Sequence, residues 1–426
     1  MGKKLILSVF IIFLSLLFSS CFDAREVGDY AYVSMMGIDE GVTDKLRLTF
    51  HIPEFKISGS GTDSGGGDGG DEEEITEKEV ITLETSSLLT GVAILNSSIP
   101  KLLNFMHMKA IIVSEKIAQS GKAGEIVAGL MRYRQIRGIT SVIICKGTAQ
   151  EFIRAIKPFQ GGLITENIEE LAMRSENTGF IPDFTFRDMY NRIKSPTTQF
   201  LCNYGAVNDG KNLKEDGSGF DGYKIPGDYL AGDTPVKGGP KIELFGSAIF
   251  DGDKMVGTLT GFETQMARII HGTLKRAAFT IQDPLSPDKI IPIEVKEFEK
   301  PKIKIDLSEY KPKIHVEIKL EGDITSIPSR IHYEDLKMNQ VLEQVFEKFI
   351  ESGIKRTFLK AQELKVDIFD FGRTAIRQFW TIPQWEEYNW VERFPVSEFD
   401  AKVTFTIRRT GKIIDSEPII SSEGKE

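Results

Sequence analysis

Cysteine is scarce, with three residues in a chain of 426: Cys21, Cys145 and Cys202. That excludes a disulfide-stapled scaffold, and no C-x-x-C spacing offers a zinc or redox site. Histidine is nearly as rare, and its five residues, His51, His107, His271, His315 and His332, lie scattered along the chain. No HExxH, GxSxG or phosphate-loop pattern accompanies them, so none of those chemistries is signalled. Paired carboxylates of the glycosidase kind leave no local signature and stay open. A basic surplus is missing as well. The formal charge is −9, which leaves no field to draw in a nucleic acid, and nucleic-acid binding is set aside. Long apolar runs are also absent, with one exception at the N-terminus.

That exception runs without a charge from Leu5 to Phe18, directly behind Lys3 and Lys4. The pair forms the charged and apolar regions of a secretory signal. As a helix the run would measure roughly 21 Å, well short of the roughly 30 Å hydrocarbon core, so a removable signal over 1–20 is expected rather than a permanent span. Ser19 and Ser20 are small, and Cys21 after them is the one strong nucleophile nearby. The arrangement resembles a bacterial lipobox, with Phe18 where Leu is preferred. By that resemblance the Cys21 thiol takes a diacylglyceryl group, with or without N-acylation, and cleavage follows Ser20. Two acyl chains anchor stably where one is marginal. An ordinary secretory signal that happens to meet a cysteine is the alternative. Loss of Lys3 and Lys4 with the signal makes the remaining chain two units more negative.

About 400 residues remain past Cys21, more than a single core serves, so two or three domains are expected. Apolar content of 41% is ordinary for a chain that buries cores. In Lys45–Ile52 the residues Leu46, Leu48, Phe50 and Ile52 alternate, which predicts a hairpin with Tyr30–Ile38. His51 falls on the opposite, polar face and is expected to be exposed. Residues 57–74 are Gly, Ser, Asp and Glu, an acidic flexible insertion with no regular calcium-ligand spacing. A strand over 79–84, a helix carrying Leu88, Leu89, Val92 and Leu95, and a strand over 105–113 follow. Ser114 is a candidate cap for a helix over 115–119, and a second helix runs from about 123 to 136. A strand over 140–145 and a helix over 148–156 complete an α/β unit assigned to 21–195.

Between Pro196 and Pro240 glycine becomes frequent among Asp, Lys and Pro, which marks a boundary or a loop-rich segment. Behind it, two strand patterns flank Asp251-Gly252-Asp253-Lys254. That run mimics an EF-hand start, but Val256 and Phe262 occupy the places of the obligatory Gly and the bidentate acid, so it reads as a hairpin turn. A β-rich middle domain over 196–300 is expected. Over 301–415 strands at 303–306 and 314–320 and a closing strand at 401–408 suggest an antiparallel sheet. A long helical pattern from Tyr333 to Leu364 accompanies it, with Leu336, Val341, Leu342, Val345, Phe346, Phe349 and Ile350 as its apolar stripe. Gly353 is expected to kink or divide that helix, and 416–426 forms a tail. The fold class is thus α/β (α+β) and multi-domain, with mixed β-sheets packed against helices.

Arg132, Arg134 and Arg137 crowd into a turn and a half. They suit docking of a carboxylate-bearing partner or an anionic headgroup, or else guanidinium forks to Glu115 or Glu125. Trp380, Trp385, Tyr388 and Trp390 read as core aromatics in preference to a sugar or peptide platform. Cys145, in the apolar run Val142-Ile143-Ile144, and Cys202 are taken as two separate thiols.

Three segments together carry a family resemblance. The first is Cys21-Phe22-Asp23-Ala24-Arg25-Glu26-Val27 leading into Val33–Asp39. The second is Met106-His107-Met108-Lys109 through Ser114-Glu115-Lys116 to Arg132-Tyr133-Arg134-Gln135-Ile136-Arg137. The third is Asp370-Phe371-Gly372-Arg373, Trp385, Trp390-Val391-Glu392 and Val403–Arg409 with Gly411. In order, they resemble the C-subunit lipoproteins of bacterial spore nutrient (germinant) receptors, the Ger(x)C family, with Phe22 where that family usually has Trp. The insertion at 57–74 and the loop at 205–240 depart from the pattern.

The resemblance implies three domains on the outer face of the spore inner membrane. They would work beside two integral-membrane subunits of A and B type, in a complex that answers nutrients by triggering germination. It carries no catalytic residues and no cofactor. His107, Lys109, Arg132 and Arg134 match the family pattern and, with Arg137, stand as docking or structural candidates. The expected function is a non-enzymatic receptor subunit; a cell-wall lipoprotein enzyme and a solute-binding lipoprotein are the alternatives.

Overall fold

The computed structural model describes residues 26–53, 80–157, 175–197, 199–215 and 222–411, with isolated positions 2, 6, 170, 171 and 416. Cys21, the signal at 1–20 apart from positions 2 and 6, the insertion at 57–74 and the tail beyond position 416 lie outside the described residues.

The chain opens with β1 (Tyr30–Tyr32), β2 (Met35–Glu40), β3 (Leu46–His51), β4 (Val80–Thr85), α1 (Leu88–Asn96) and β5 (Leu102–Asn104). It continues with β6 (Ala110–Ser114), α2 (Glu115–Gln119), α3 (Ala123–Met131), β7 (Ser141–Cys145), α4 (Ala149–Ala155), α5 (Phe186–Ile193) and β8 (Phe200–Val207). β9 (Ile242–Asp251) and β10 (Lys254–Leu259) form a hairpin around Gly252 and Asp253. These strands build one eight-stranded sheet in the order β10-β9-β8-β7-β6-β2-β3-β4, while β1 and β5 form a separate parallel pair. Its four central strands β8, β7, β6 and β2 are parallel, and an antiparallel hairpin extends each side. Position 195/196, expected as a domain boundary, therefore falls between α5 and β8 inside the run of elements that makes this sheet.

Parallel strands reached through helical crossovers are covered on both faces, and here every residue of β6 is buried. One face packs Ile111, Val113, Val142 and Ile144 against Val127, Leu130, Phe186 and Met189 of α3 and α5. The other packs Met35, Ala110, Ile112 and Ile143 against Ala149, Phe152 and Ile153 of α4. Gly37 lies directly beneath α4, where a Cβ would stand 2.9 Å from Ile153 Cδ1. The Asp39 carboxylate accepts the N–H groups of Ala149 (2.7 Å) and Gln150 (3.0 Å), and so fixes the start of that helix.

Two-sided burial corrects the reading of His51. The ring is fully buried, and its Nδ1 lies 2.5 Å from Ser34 Oγ, because the face of β3 that alternation assigns to solvent is roofed instead. The expected strand over 105–113 begins only at Ala110. The expected second helix ends at Met131, after which short turns carry the chain to β7.

Beyond β10 come α6 (Gly261–His271), β11 (Ala277–Gln282), β12 (Ile290–Asp306), β13 (Lys313–Ile324), α7 (Leu336–Leu364), α8 (Phe371–Ala375), α9 (Ile382–Tyr388), α10 (Trp390–Arg393) and β14 (Glu398–Arg409). The sheet β11-β12-β13-β14 is antiparallel only in part. β14 runs parallel to β13, since α7 and the short helices behind it return the chain to the same end of the sheet before β14 begins. Leu342, Phe346, Ile350, Ile354, Phe358 and Ala361 give α7 its buried stripe, whereas Leu336 is 80% exposed. Gly353 neither kinks nor divides the helix, which is continuous over 29 residues. A Cβ there would lie 2.8 Å from Phe262 Cζ and 2.9 Å from Met266 Sδ, so the glycine lets α6 approach. Glu343, Glu347 and Glu351, one turn apart on α7, accept the N–H groups of Ile407, Phe405 and Val403 at 2.9, 3.0 and 2.9 Å.

Burial holds the His51 ring down to a pKa of about 4, against 6.5 for the free side chain. The unfolded chain therefore binds a proton that the folded chain refuses between those values. Stability from the neutral ring is complete above pH 6.5 and drains away toward pH 4, by about 3 kcal/mol at the limit. In urea unfolding at pH 7 and pH 4.5, His51→Gln should show a smaller acid loss than the parent; an equal loss would place the acid sensitivity elsewhere.

Candidate functional site

Three of the residues singled out by sequence, His107, Lys109 and Arg137, meet at one place in the first unit. Phe105 is buried edge-on against Phe50 (5.7 Å) and Tyr133 (5.4 Å), and its N–H donates to Gln135 Oε1 at 3.1 Å. The Met108 N–H closes a turn onto the Phe105 carbonyl at 3.1 Å. That turn sends Met106 and His107 outward, with the His107 ring edge-on to Tyr32 at 5.0 Å. After α3 the N–H groups of Tyr133, Ile136 and Thr140 bond to Leu130, Tyr133 and Arg137 carbonyls. These turns bury Ile136 and leave Arg132, Arg134 and Arg137 exposed. The forks to Glu115 or Glu125 do not form. Glu115 accepts instead from Tyr204 Oη (3.3 Å) and Gln119 Nε2 (3.1 Å).

His107, Lys109 and Arg137 line a single groove of about 160 Å³, with Met106, Ile139 and Asp183. Arg132 and Arg134 do not line it. Ile139 is 66% exposed and Met106 47% exposed, so cationic groups alternate with uncovered apolar surface. Burial raises the pKa of the Asp183 carboxyl, the one acid lining the groove. Such a surface fits an acidic segment with apolar side chains. It places no activated nucleophile beside a base. Among the described residues, no three His, Cys, Asp or Glu side chains gather where they could hold a metal ion.

Sequence reasoning missed a second cluster, at the seam between the two large sheets. Both guanidinium nitrogens of Arg192, near the end of α5, bond the two carboxylate oxygens of Asp370. Burial alone would raise the Asp370 carboxyl, but the Arg192 guanidinium holds it below the usual range. Asp367 accepts the N–H groups of Gly372 (2.6 Å) and Phe371 (3.1 Å) and the Trp390 indole at 3.1 Å, while its own N–H donates to Gln199 Oε1 at 2.6 Å. Complete burial still pushes its pKa up to about 6. The signal available in sequence was Asp370-Phe371-Gly372-Arg373, whose partner Arg192 is too distant along the chain for any local pattern to reveal.

Trp385 and Trp390 are buried and stacked at 6.0 Å, as expected of core aromatics, whereas Trp380 is 95% exposed. Cys145 and Cys202 are both free and buried, in the cores on opposite faces of the sheet.

Comparison with known proteins places both units. A family model described as "Spore germination protein N-terminal domain" matches residues 23–205, and one described as "Spore germination B3/ GerAC like, C-terminal" matches residues 245–411. The chain belongs to the GerAC/GerBC family of spore germination proteins. It is a non-catalytic, C-subunit-like member. "Spore germination protein KC" of Bacillus subtilis (strain 168) is 23% identical over 96% of this chain and 97% of its own length. "Spore germination protein GerQC" of Bacillus cereus is 24% identical over 94% of this chain and 96% of its own. The solved structure titled "Crystal Structure of the GerBC protein" aligns with a TM-score of 0.53 at 18% identity, covering 87% of this chain and 96% of that one, a likeness of fold. No helix among the described residues of this family member is long and apolar enough to cross a membrane.

The Arg192–Asp370 pair can be tested by removing one partner. Arg192→Met strands a largely buried carboxylate, and the cost expected for this partly screened pair is about 2 kcal/mol in urea unfolding. A loss within about 0.5 kcal/mol would mark the pair as surface-like.

Proposed function

We propose that the protein is a lipid-anchored, non-catalytic subunit of a spore germinant receptor, held by a diacylglyceryl group on Cys21 to the outer face of the spore inner membrane. There it assembles with two integral-membrane subunits, one of A type and one of B type, in nutrient-triggered germination. The observation that carries this reading is the ordered match of two spore-germination family models across the chain, the first beginning at residue 23, just past Cys21. The family supplies the process; Cys21 behind an apolar signal supplies the anchor. The groove of His107, Lys109 and Arg137, with Arg132 and Arg134 beside it in sequence, is the docking surface proposed for an acidic juxtamembrane segment of a partner subunit.

Cys21→Ala should move the protein from the membrane fraction to the soluble fraction of sporulating cells and abolish the nutrient response that depends on it. A trigger that bypasses nutrient receptors should still work. Full membrane retention of the variant would remove the anchor from this reading. Arg137→Glu combined with Ile139→Ser changes two exposed side chains, so stability should stay within about 0.5 kcal/mol. Co-purification with the membrane subunits should fall sharply, and undiminished recovery would move the docking surface elsewhere.

A further inference from the structure

At the seam between the two sheets lies a larger cleft, of about 830 Å³. One wall comes from α5 and the start of β8, the other from the end of α6, β12 and residues 368–377, with Arg192 and Asp370 both in its lining. That volume is typical of small-molecule sites, which concentrate at junctions between structural units.

Its charges do not balance. Of the acids facing it, Asp370 is held by Arg192, and Asp188 by the capping box with Thr185. Burial raises the Asp183 pKa, and the charge of nearby Arg268, which faces this acid, lowers it. Three cations remain on the opposite side of the account: Lys300 of β12, Arg373 and Arg377. Arg373 reaches Asp370 at 3.8 Å, but both oxygens of that carboxylate already serve Arg192. Arg377 forms no ion pair among the described residues, and Lys300 has only the charge of Glu297 near it, an acid that burial pushes up to about 7. Arg373 and Arg377 stand four residues apart along a helical stretch, which makes them neighbours on one face. The His271 ring, its Nε2 set 3.0 Å from the Ile368 carbonyl and its pKa lowered by burial, adds no compensating charge.

We propose that this cleft binds a small polyanion, a compound carrying two or three carboxylate or phosphate groups, between Arg373, Arg377 and Lys300. Guanidinium forks match carboxylate and phosphate oxygens in pairs, and Lys300 supplies a point charge for the remaining group. Asn191 and Ser195 on the α5 side offer neutral hydrogen-bonding groups to the same ligand, so the bound anion fastens the two halves of the molecule together. A chain of net charge −9 repels polyanions at long range, and local pairing in a concave site is what overcomes this.

The test is calorimetric titration of the full-length protein in detergent with citrate and, separately, with pyrophosphate, at low and at physiological salt. At least one anion should bind saturably at one site with Kd below about 1 mM. Arg373→Gln/Arg377→Gln and, independently, Lys300→Gln should each weaken it by about tenfold with an unchanged thermal midpoint. The arm that binds tells carboxylate from phosphate. Absence of saturable binding in both arms, or equal affinity in parent and variants, overturns the site.

Discussion

Helix α6 has almost no face turned to water, and the rest of the molecule is arranged around that constraint. Every residue from Gly261 to Ile270 is buried, including Glu263, Thr264, Gln265 and Arg268. Each buried polar group left without a partner would cost about 1–3 kcal/mol, so neighbours from both units must supply partners. Thr264 meets Ser247 of β9 at 2.8 Å, Gln265 donates to the Thr178 carbonyl at 2.7 Å, and Lys360 of α7 reaches Glu263 at 2.6 Å. Arg268 donates to the carbonyls of Ile181 and Thr273. The glycine-rich connection has its purpose here too: the carbonyls of Tyr229 and Gly227 accept the first two N–H groups of the helix, at 2.9 and 2.7 Å. One helix thus joins the eight-stranded sheet, the long helix and the intervening loop into a single packed body.

The same burial explains what sequence could and could not reveal. Elements with one wet face declare themselves: the hairpin of β2 and β3, the capped helix α4 behind Thr148, and the long stripe of α7 are all readable from spacing. An element buried all round shows no stripe, and α6 escaped notice although Thr260, Glu263 and Gly272 mark its two ends with a capping box and a left-handed cap. His51 and Gly353 failed for the related reason that their surroundings come from distant parts of the chain. Alternation cannot tell a roofed face from a wet one. A glycine inside a helical pattern cannot say whether it breaks the helix or admits a neighbour.

The candidate site divides along the same line. His107 and Lys109 lie close together in sequence, and the turns after α3 bring Arg137 to the same groove, which Arg132 and Arg134 do not line. The seam cluster needed the fold. Arg192 and Asp370 lie in different units, and no local pattern couples them. Asp183, in the left-handed backbone region at φ 60°, lines both the groove and the seam cleft, so the two sites share a wall. A displacement of the two units against each other would be felt at that residue from both sides.

The row of glutamates on α7 has a meaning beyond the stability it lends. β14 is the last strand of its sheet, and the outward N–H groups of a last strand invite another chain to pair with them. A four-residue step along a helix advances about 6 Å and a two-residue step along a strand nearly 7 Å, so Glu343, Glu347 and Glu351 keep pace with alternate residues of β14. The helix thereby acts as a false strand, closing the ladder with carboxylates. On the opposite border the Tyr223 hydroxyl covers the Thr280 carbonyl of β11. The sheet is thus shielded along β14 from fusing edge to edge with that of another chain, and recognition along that border rests on side chains, which can be specific where backbone pairing is not.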